Sequence, residues 1–168
     1  IEVINKKDLK SFVELSKLTA KRDGFKLHNQ KRYKLVLNSD NTCQLSAIYK
    51  NKTIATAVFI FFGDTFTYLY GASDYKHRQL MAPHLLQWQA IKIAKQKGYK
   101  YYDLFGIAPS INKTDKHEYD KKHQYAGVTR FKLGFGGKII ENPGTFDIII
   151  NYKKYMLYKI LRKVRRLF

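Results

Sequence analysis

Residues 82–105, APHLLQWQAIKIAKQKGYKYYDLF, decide the fold. From Met81 or Ala82 to Gln96 the apolar positions Leu85, Leu86, Trp88, Ala90, Ile91 and Ala94 trace one face of a helix, and Gly98 closes it. Tyr101 to Phe105 follows at once as a short apolar strand. Upstream, Phe66 to Tyr70 is rich in aromatic and β-branched residues and reads as another strand. Strand, helix and strand at this spacing predict a right-handed crossover and a parallel pair.

Working outward toward the N-terminus, Gln44 to Tyr49, a turn at Asn51-Lys52 and Thr53 to Phe62 read as a β-hairpin, with Gly63-Asp64 turning into Phe66 to Tyr70. Three antiparallel strands in sequence are therefore expected, and the crossover makes the sheet mixed. Leu9, Phe12, Val13 and Ser16 fall at helical spacing in a segment that ends near Arg22-Asp23-Gly24-Phe25. A shorter amphipathic piece runs from about His28 to Leu37, and the first residues read as a strand or a helix lead-in.

Toward the C-terminus, Ala108 to Lys122 is polar and reads as an exposed loop. Tyr125 to Leu133 reads as a short helix. Lys138 to Glu141 and Thr145 to Ile150 are expected to close a hairpin across Asn142-Pro143-Gly144. Between them lies Arg130-Phe131-Lys132-Leu133-Gly134-Phe135-Gly136-Gly137, a basic and aromatic run broken by glycines. It predicts a helix end turning sharply into a strand, with Lys132 held beside the sheet. An ordinary capped helix running into a hairpin accounts for the same pattern.

The segment Tyr152 to Phe168 has a different character, and the domain is expected to span 1–151 with 152–168 as a basic amphipathic helix. Tyr155, Tyr158, Ile160, Leu161, Val164, Leu167 and Phe168 read as its apolar face, with seven Lys and Arg crowding the other sides. Such a helix suits an anionic membrane surface, but packing on the domain or contact with nucleic acid fits it too.

Composition sets the limits. The chain has 168 residues, 45% of them hydrophobic, enough for one buried core, and it lacks an initiator Met, which suggests a piece of a longer protein. A net charge of +19 implies anionic partners, whether nucleic acid, phospholipid headgroups or phosphorylated substrates, although lysine-rich coding bias explains part of it. Cys43, the lone cysteine, reads as a buried structural thiol in a reducing compartment. There is no run of eighteen apolar residues and no signal-peptide pattern. P-loop, His-Glu-x-x-His, Cys-x-x-Cys and Gly-x-Ser-x-Gly signatures are all missing, so phosphate-loop hydrolysis, the common zinc sites and a serine nucleophile have no support. No metal and no cofactor are expected.

The order of elements resembles the α/β (α+β) acyltransferase fold of the GNAT superfamily, a mixed, mostly antiparallel sheet flanked by helices. That superfamily cradles the pyrophosphate of acyl-CoA on backbone amides at a glycine-rich turn before the long helix. Here the turn reads Arg78-Gln79-Leu80-Met81-Ala82-Pro83. Met81 replaces the glycine and Pro83 removes an amide donor, so the scaffold is poorly made for CoA.

Five motifs narrow this further: Thr19-Ala20-x-Arg22-Asp23-Gly24-Phe25, Tyr68-x-Tyr70-Gly71-Ala72-Ser73, Met81-Ala82-Pro83-His84-Leu85-Leu86-Gln87-Trp88, Tyr102-Asp103-Leu104-Phe105-Gly106-Ile107 and Phe131-Lys132-x-Gly134-Phe135-Gly136-Gly137. Together they resemble the Fem family of peptidoglycan bridge-forming aminoacyltransferases (FemA/FemB/FemX), over essentially the whole chain. The resemblance implies transfer of an amino acid from aminoacyl-tRNA to the stem peptide of a cell-wall precursor, UDP-MurNAc-pentapeptide or lipid II, on the cytoplasmic side of the membrane. It also implies two GNAT-like domains, of which this sequence is similar to the second.

Amine attack on an aminoacyl ester builds an oxyanion and releases a ribose hydroxyl, so a fixed cation lowers the barrier without a covalent intermediate. Lys132 is the candidate for that cation, and the resemblance implies that the backbone carbonyl of Phe131 orients the attacking group. Asp103, at the end of the parallel strand, is a candidate for positioning the amine or the tRNA 3′ end, or a structural partner of a nearby group. Arg78 is a candidate phosphate contact or a surface arginine. Tyr102 reads as packing more than reacting, and His84 stands where an aromatic or tyrosine is expected in relatives. Both join Gly106, Gly134 and Gly136 among the candidate substrate-binding positions. Two rival functions stay open: an N-acyltransferase with another donor, and a silent basic module that docks tRNA or membrane.

Overall fold

The computed structural model describes residues 1–112 and 114–165. Arg166, Leu167 and Phe168, which the sequence reading places in the C-terminal helix, lie outside the described residues. The chain divides into one compact unit from Ile1 to Gly136 and a second that starts at Gly137. This boundary precedes the one expected at residues 151 and 152.

In the first unit a five-stranded sheet runs in the order β1-β2-β3-β4-β5. Its strands are β1 (Glu2–Asn5), β2 (Thr42–Tyr49), β3 (Lys52–Phe62), β4 (Thr65–Ser73) and β5 (Tyr101–Asp103). The first four are antiparallel neighbours, and β5 lies parallel to β4. The crossover is α3 (Ala82–Gln96), so the mixed sheet expected from residues 82–105 is present. One antiparallel strand more than expected is found, because Glu2 to Asn5 pairs with Leu45 to Ile48. The hairpin turn is displaced by one residue: Tyr49 pairs Lys52, and Lys50 and Asn51 both take positive φ, as a two-residue turn that follows the sheet twist requires.

Each face of the sheet has its own cover. Phe59, Phe66 and Leu45 pack with Ala82, Leu86, Ala90 and Ala94 of α3, whose small residues let helix and sheet approach closely. On the other face Val58 packs with Phe12 of α1 (Leu9–Asp23) and with Tyr33 and Leu37 of α2 (Gln30–Asn38). The α1 helix begins where Asp8 accepts from the Ser11 amide and ends at Gly24, as its sequence indicates.

A β-bulge in β4 decides which tyrosine goes where. Phe59 pairs Tyr68 and Val58 pairs Tyr70, which leaves Leu69 as the extra residue. Strict alternation would put Tyr68 and Tyr70 on one face, but the bulge sends Tyr70 to the α1 and α2 cluster and keeps Tyr68 with the α3 cluster. The bulge also lies just beyond the point where β4 and β5 cease to pair. Their register covers only Thr65 to Thr67 against Tyr101 to Asp103.

The expected closing hairpin does not form. Residues 137–150 carry no strand, and Ile140, Phe146, Ile148 and Ile150 are each at least 76% exposed. Alternation gave this segment a strand pattern, but a two-stranded ribbon without a sheet to bury one face is marginal in water. The glycine-broken run does end a helix, α4 (Ala126–Leu133), with Gly136 and Gly137 at φ 72° and 98°, but no strand follows. In the second unit Asn151 caps α5 (Tyr152–Val164) by accepting from the Lys154 amide.

Candidate active site

Lys132 sits in the last turn of α4 and is 7% exposed, so it is a buried lysine and not a lysine displayed on a turn. Its Nζ donates to the Gly106 carbonyl at 2.7 Å and lies 5.7 Å from the centre of the Tyr68 ring. The ammonium therefore bridges β4 and the chain that leaves β5, where the two strands have parted. Burial pulls its pKa down to about 8, against the opposing influence of the Asp103 carboxylate. Near neutral pH it remains mostly a cation, held where a lowered dielectric strengthens its field.

The Gly106 carbonyl is aimed by local chemistry. Asp103 Oδ1 accepts from the Phe105 amide at 2.7 Å, closing an Asx turn in which Phe105 takes φ 64°. Asp103 thus serves as a structural partner of its own turn, and its charge also supports the ammonium. Two residues on, the Ala108 amide donates to Thr129 Oγ1 at 2.8 Å, and Thr129 is fully buried. Sequence reading missed Thr129. A lone threonine on a short helix gives no pattern, and its partner is twenty-one residues away. Thr129→Val is expected to leave the buried Ala108 amide unpaired at a cost of about 1–3 kcal/mol. The measurement is thermal unfolding, and a melting temperature unchanged from the parent protein would show that the amide is not held by Thr129.

The end of α4 exposes a second polar group. The Gly134 amide bonds to the Arg130 carbonyl, but the Phe135 and Gly136 amides fall back to Lys132 and Leu133, a change from α to 3₁₀ spacing. The carbonyl of Phe131 is skipped by this change and accepts no backbone bond among the described residues. Gly134 keeps it open: a Cβ there would stand 3.3 Å from the Phe131 oxygen. The end of α4 therefore carries, on consecutive residues, a backbone acceptor without a backbone donor among the described residues and a buried cation.

The remaining candidates are placed as follows. His84, on the first turn of α3, packs edge-on to Phe131 at 4.8 Å between ring centres and 5.7 Å from Phe135, and its buried Nδ1 has no partner among the described residues. It belongs beside the Phe131 turn. Tyr102 is packed with Phe66 and Phe59 and donates to Gln87 at 2.6 Å, and burial pushes its pKa up, so the structure gives it a packing part. Arg78 lies in the 3₁₀ turn Tyr75–Leu80 with its guanidinium 4.6 Å over the Tyr75 ring, exposed, and it makes no contact with the Lys132 turn among those described. Gly136 forms the turn after α4 at φ 72°, and a Cβ there would meet no atom within 4 Å. Met81, the residue in place of the expected glycine, takes φ 51° at the entrance to α3, where its side chain is half exposed and Pro83 follows in the first turn.

Cys43 is half-buried in β2, and burial raises its thiol to about 11, as suits a structural cysteine. Among the described residues no group of His, Cys, Asp and Glu gathers to hold a metal, and no helix is long and apolar enough to cross a membrane.

A mixed sheet with a bulged β4 parting from a parallel β5, crossed by α3, is the GNAT-like acyltransferase architecture. An aminoglycoside acetyltransferase from a soil metagenome superposes on 89% of the chain with a TM-score of 0.58 at 14% identity, and FemX superposes on 93% of the chain, and 55% of its own, with a TM-score of 0.76 at 21% identity. Residues 38–163 match the FemAB family, and the chain belongs to that family. Lipid II:glycine glycyltransferase of Staphylococcus haemolyticus is 31% identical over 74% of this chain, and that of Staphylococcus aureus is 30% identical over 82%. The chain spans only 28% and 35% of the length of these two relatives.

Proposed function

We propose that the protein to which this chain belongs transfers an amino acid from aminoacyl-tRNA to the amino group of a peptidoglycan precursor's stem peptide, building the interpeptide bridge at the cytoplasmic face of the membrane. The observation that carries the reading is the buried Lys132 ammonium held on the Gly106 carbonyl, one residue after a Phe131 carbonyl that accepts no backbone bond among the described residues. The relatives' names specify lipid II and glycine, and the acceptor proposed here is a lipid II-type or UDP-linked precursor. A first domain of similar fold completes the precursor site in this reading.

The roles follow from charge flow. The acceptor amine attacks the ester carbonyl carbon, the carbonyl oxygen becomes an oxyanion, and the C–O bond to the tRNA ribose then breaks. The Phe131 carbonyl accepts a hydrogen bond from the attacking amine and directs its lone pair. The Lys132 ammonium, one of whose protons is committed to Gly106, turns the others to the developing negative oxygen. Over the whole step the amine loses a proton and the ribose hydroxyl gains one, so no covalent enzyme intermediate is needed. The charge of +19 suits both polyanionic reactants.

The donor is the test. Purified full-length protein is expected to transfer from charged tRNA to a lipid II-type acceptor and to ignore acyl-CoA, because Met81 and Pro83 occupy the turn that would cradle a pyrophosphate. Transfer from acyl-CoA without tRNA would overturn the reading in favour of another N-acyltransferase.

A further inference from the structure

The hydroxyl of Tyr68 stands at the Lys132 site with no task in the fold. Its ring packs against Phe59 in the α3-side core and carries the Lys132 Nζ 5.7 Å from the ring centre. Tyr102, on the same core, spends its hydroxyl on Gln87, whereas the Tyr68 hydroxyl makes no hydrogen bond among the described residues. Burial keeps it in the neutral form, so near neutral pH it always has a proton to donate. Gly71 sets where that proton is offered, because the hydroxyl fills the space that a Cβ on Gly71 would take. Gly71 is exposed and lies beyond Thr67, the last residue of β4 that pairs with β5. The hydroxyl therefore comes out at the opening between the parted strands. A hydroxyl held away from bulk water without a partner costs about 1–3 kcal/mol, so the opening is a place for an acceptor that arrives from outside. The ammonium over the same ring selects that acceptor: it repels a cation and favours an oxygen on which negative charge gathers.

From this placement we propose that Tyr68 is a catalytic residue whose hydroxyl donates to the ester oxygen that becomes the oxyanion, as the neutral companion of the Lys132 ammonium. The proposal rests on the transfer reading and adds a second donor to it. As the amine lone pair forms the C–N bond, the π pair of the carbonyl moves onto its oxygen. Tyr68 and Lys132 strengthen their hydrogen bonds to that oxygen, and both keep their protons. When the C–O bond to the ribose breaks, the oxyanion pair remakes the carbonyl, and the ribose oxygen leaves with the bonding pair and gains the proton that the amine loses. Tyr68 ends the step unchanged. A hydroxyl fixed by ring packing and by Gly71 suits this part, because it needs no reorganisation as the charge develops.

The test is Tyr68→Phe in the full-length protein, which removes the hydroxyl and leaves the ring under the ammonium. With charged tRNA as donor and a lipid II-type acceptor, kcat is expected to fall about tenfold to a hundredfold while KM changes little, the mark of a bond made only in the transition state. The melting temperature is expected to stay level or rise slightly, because the fold loses no hydrogen bond. An undiminished kcat, whatever KM does, would overturn the inference and leave the transfer itself standing. A melting temperature that falls together with the rate would overturn it too, since the hydroxyl would then be paired by another segment of the full-length protein and its part would be structural. A parent protein that transfers nothing from charged tRNA would overturn the transfer reading, and this inference with it.

Discussion

Lys132→Met is expected to abolish aminoacyl transfer while the fold survives. Methionine nearly matches the lysine stem in length and shape, so the buried channel over Tyr68 stays filled. What disappears is the ammonium, and with it the field on the developing oxyanion, an effect worth at least about a hundredfold in rate for a single preorganised donor. Stability changes little because two effects oppose each other. The Gly106 carbonyl loses its partner, at a cost of about 1 kcal/mol because the residue is exposed and water can replace the ammonium. Against that, burial had already disfavoured the cation, as its lowered pKa shows. Initial transfer rates in the full-length protein, read beside thermal unfolding, decide the matter, and undiminished transfer would remove Lys132 from the mechanism.

The same lysine predicts a pH signature with opposite signs for rate and stability. Folded Lys132 loses its proton near pH 8, so the transfer that depends on it falls as pH rises through about 8. The unfolded chain keeps that proton up to about pH 10.4, the ordinary lysine value. Between these two pH values the unfolded state binds more protons than the folded state, so the Lys132 contribution to stability improves as pH rises. A fall in rate that coincided with a fall in stability would point to unfolding instead, and Lys132→Met should lose the Lys132 contribution to both trends.

Gly71→Ala is expected to have the second largest effect. A Cβ at this position on β4 would run into Tyr68 Oη and stand 2.7 Å from Cζ, closer than packed atoms come. Tyr68 has little room to give, because its ring sits 5.7 Å from that of Phe59 within the α3-side core, and burial holds its hydroxyl neutral, with the pKa up to about 12. Overpacking of this kind costs about 1–3 kcal/mol, a drop in melting temperature of roughly 3–10 °C for a domain of this size. Because Tyr68 is the floor under the Lys132 ammonium, transfer should fall as well. Replacing Tyr68 by Leu in the Gly71→Ala background should recover melting temperature but not activity, a non-additivity expected of residues in contact. An unchanged melting temperature in Gly71→Ala alone would show that Tyr68 moves freely, and with it that the site is not rigid.

Much of this was legible locally. The α3 stripe, the Gly98 stop and the short apolar strand after it are periodic signals within one segment, and they specify the crossover and hence the mixed sheet. The aromatic and β-branched content of β3 and β4 did the same for the hairpins. The Phe131 to Gly137 run marked the end of α4 because glycines punctuate a backbone wherever it lies. At the other extreme, Glu2 to Asn5 is too short to show a period, and its identity as a strand comes from Leu45 to Ile48 lying alongside. Lys138 to Ile150 shows the reverse error: alternation is present, but no paired partner is.

By itself the sequence determined the kind and order of the elements from α1 to α4, the excess of positive charge, and the run that carries Phe131 and Lys132. Only the tertiary structure decided that Lys132 is buried, that its proton goes to a carbonyl twenty-six residues away, that Thr129 anchors the same turn, and that Asp103 serves that turn. The physical reason is that helix period and turn propensity act over a few residues, whereas desolvation and hydrogen-bond partnership depend on which distant segments a bulge in β4 and the parting of β4 from β5 bring together.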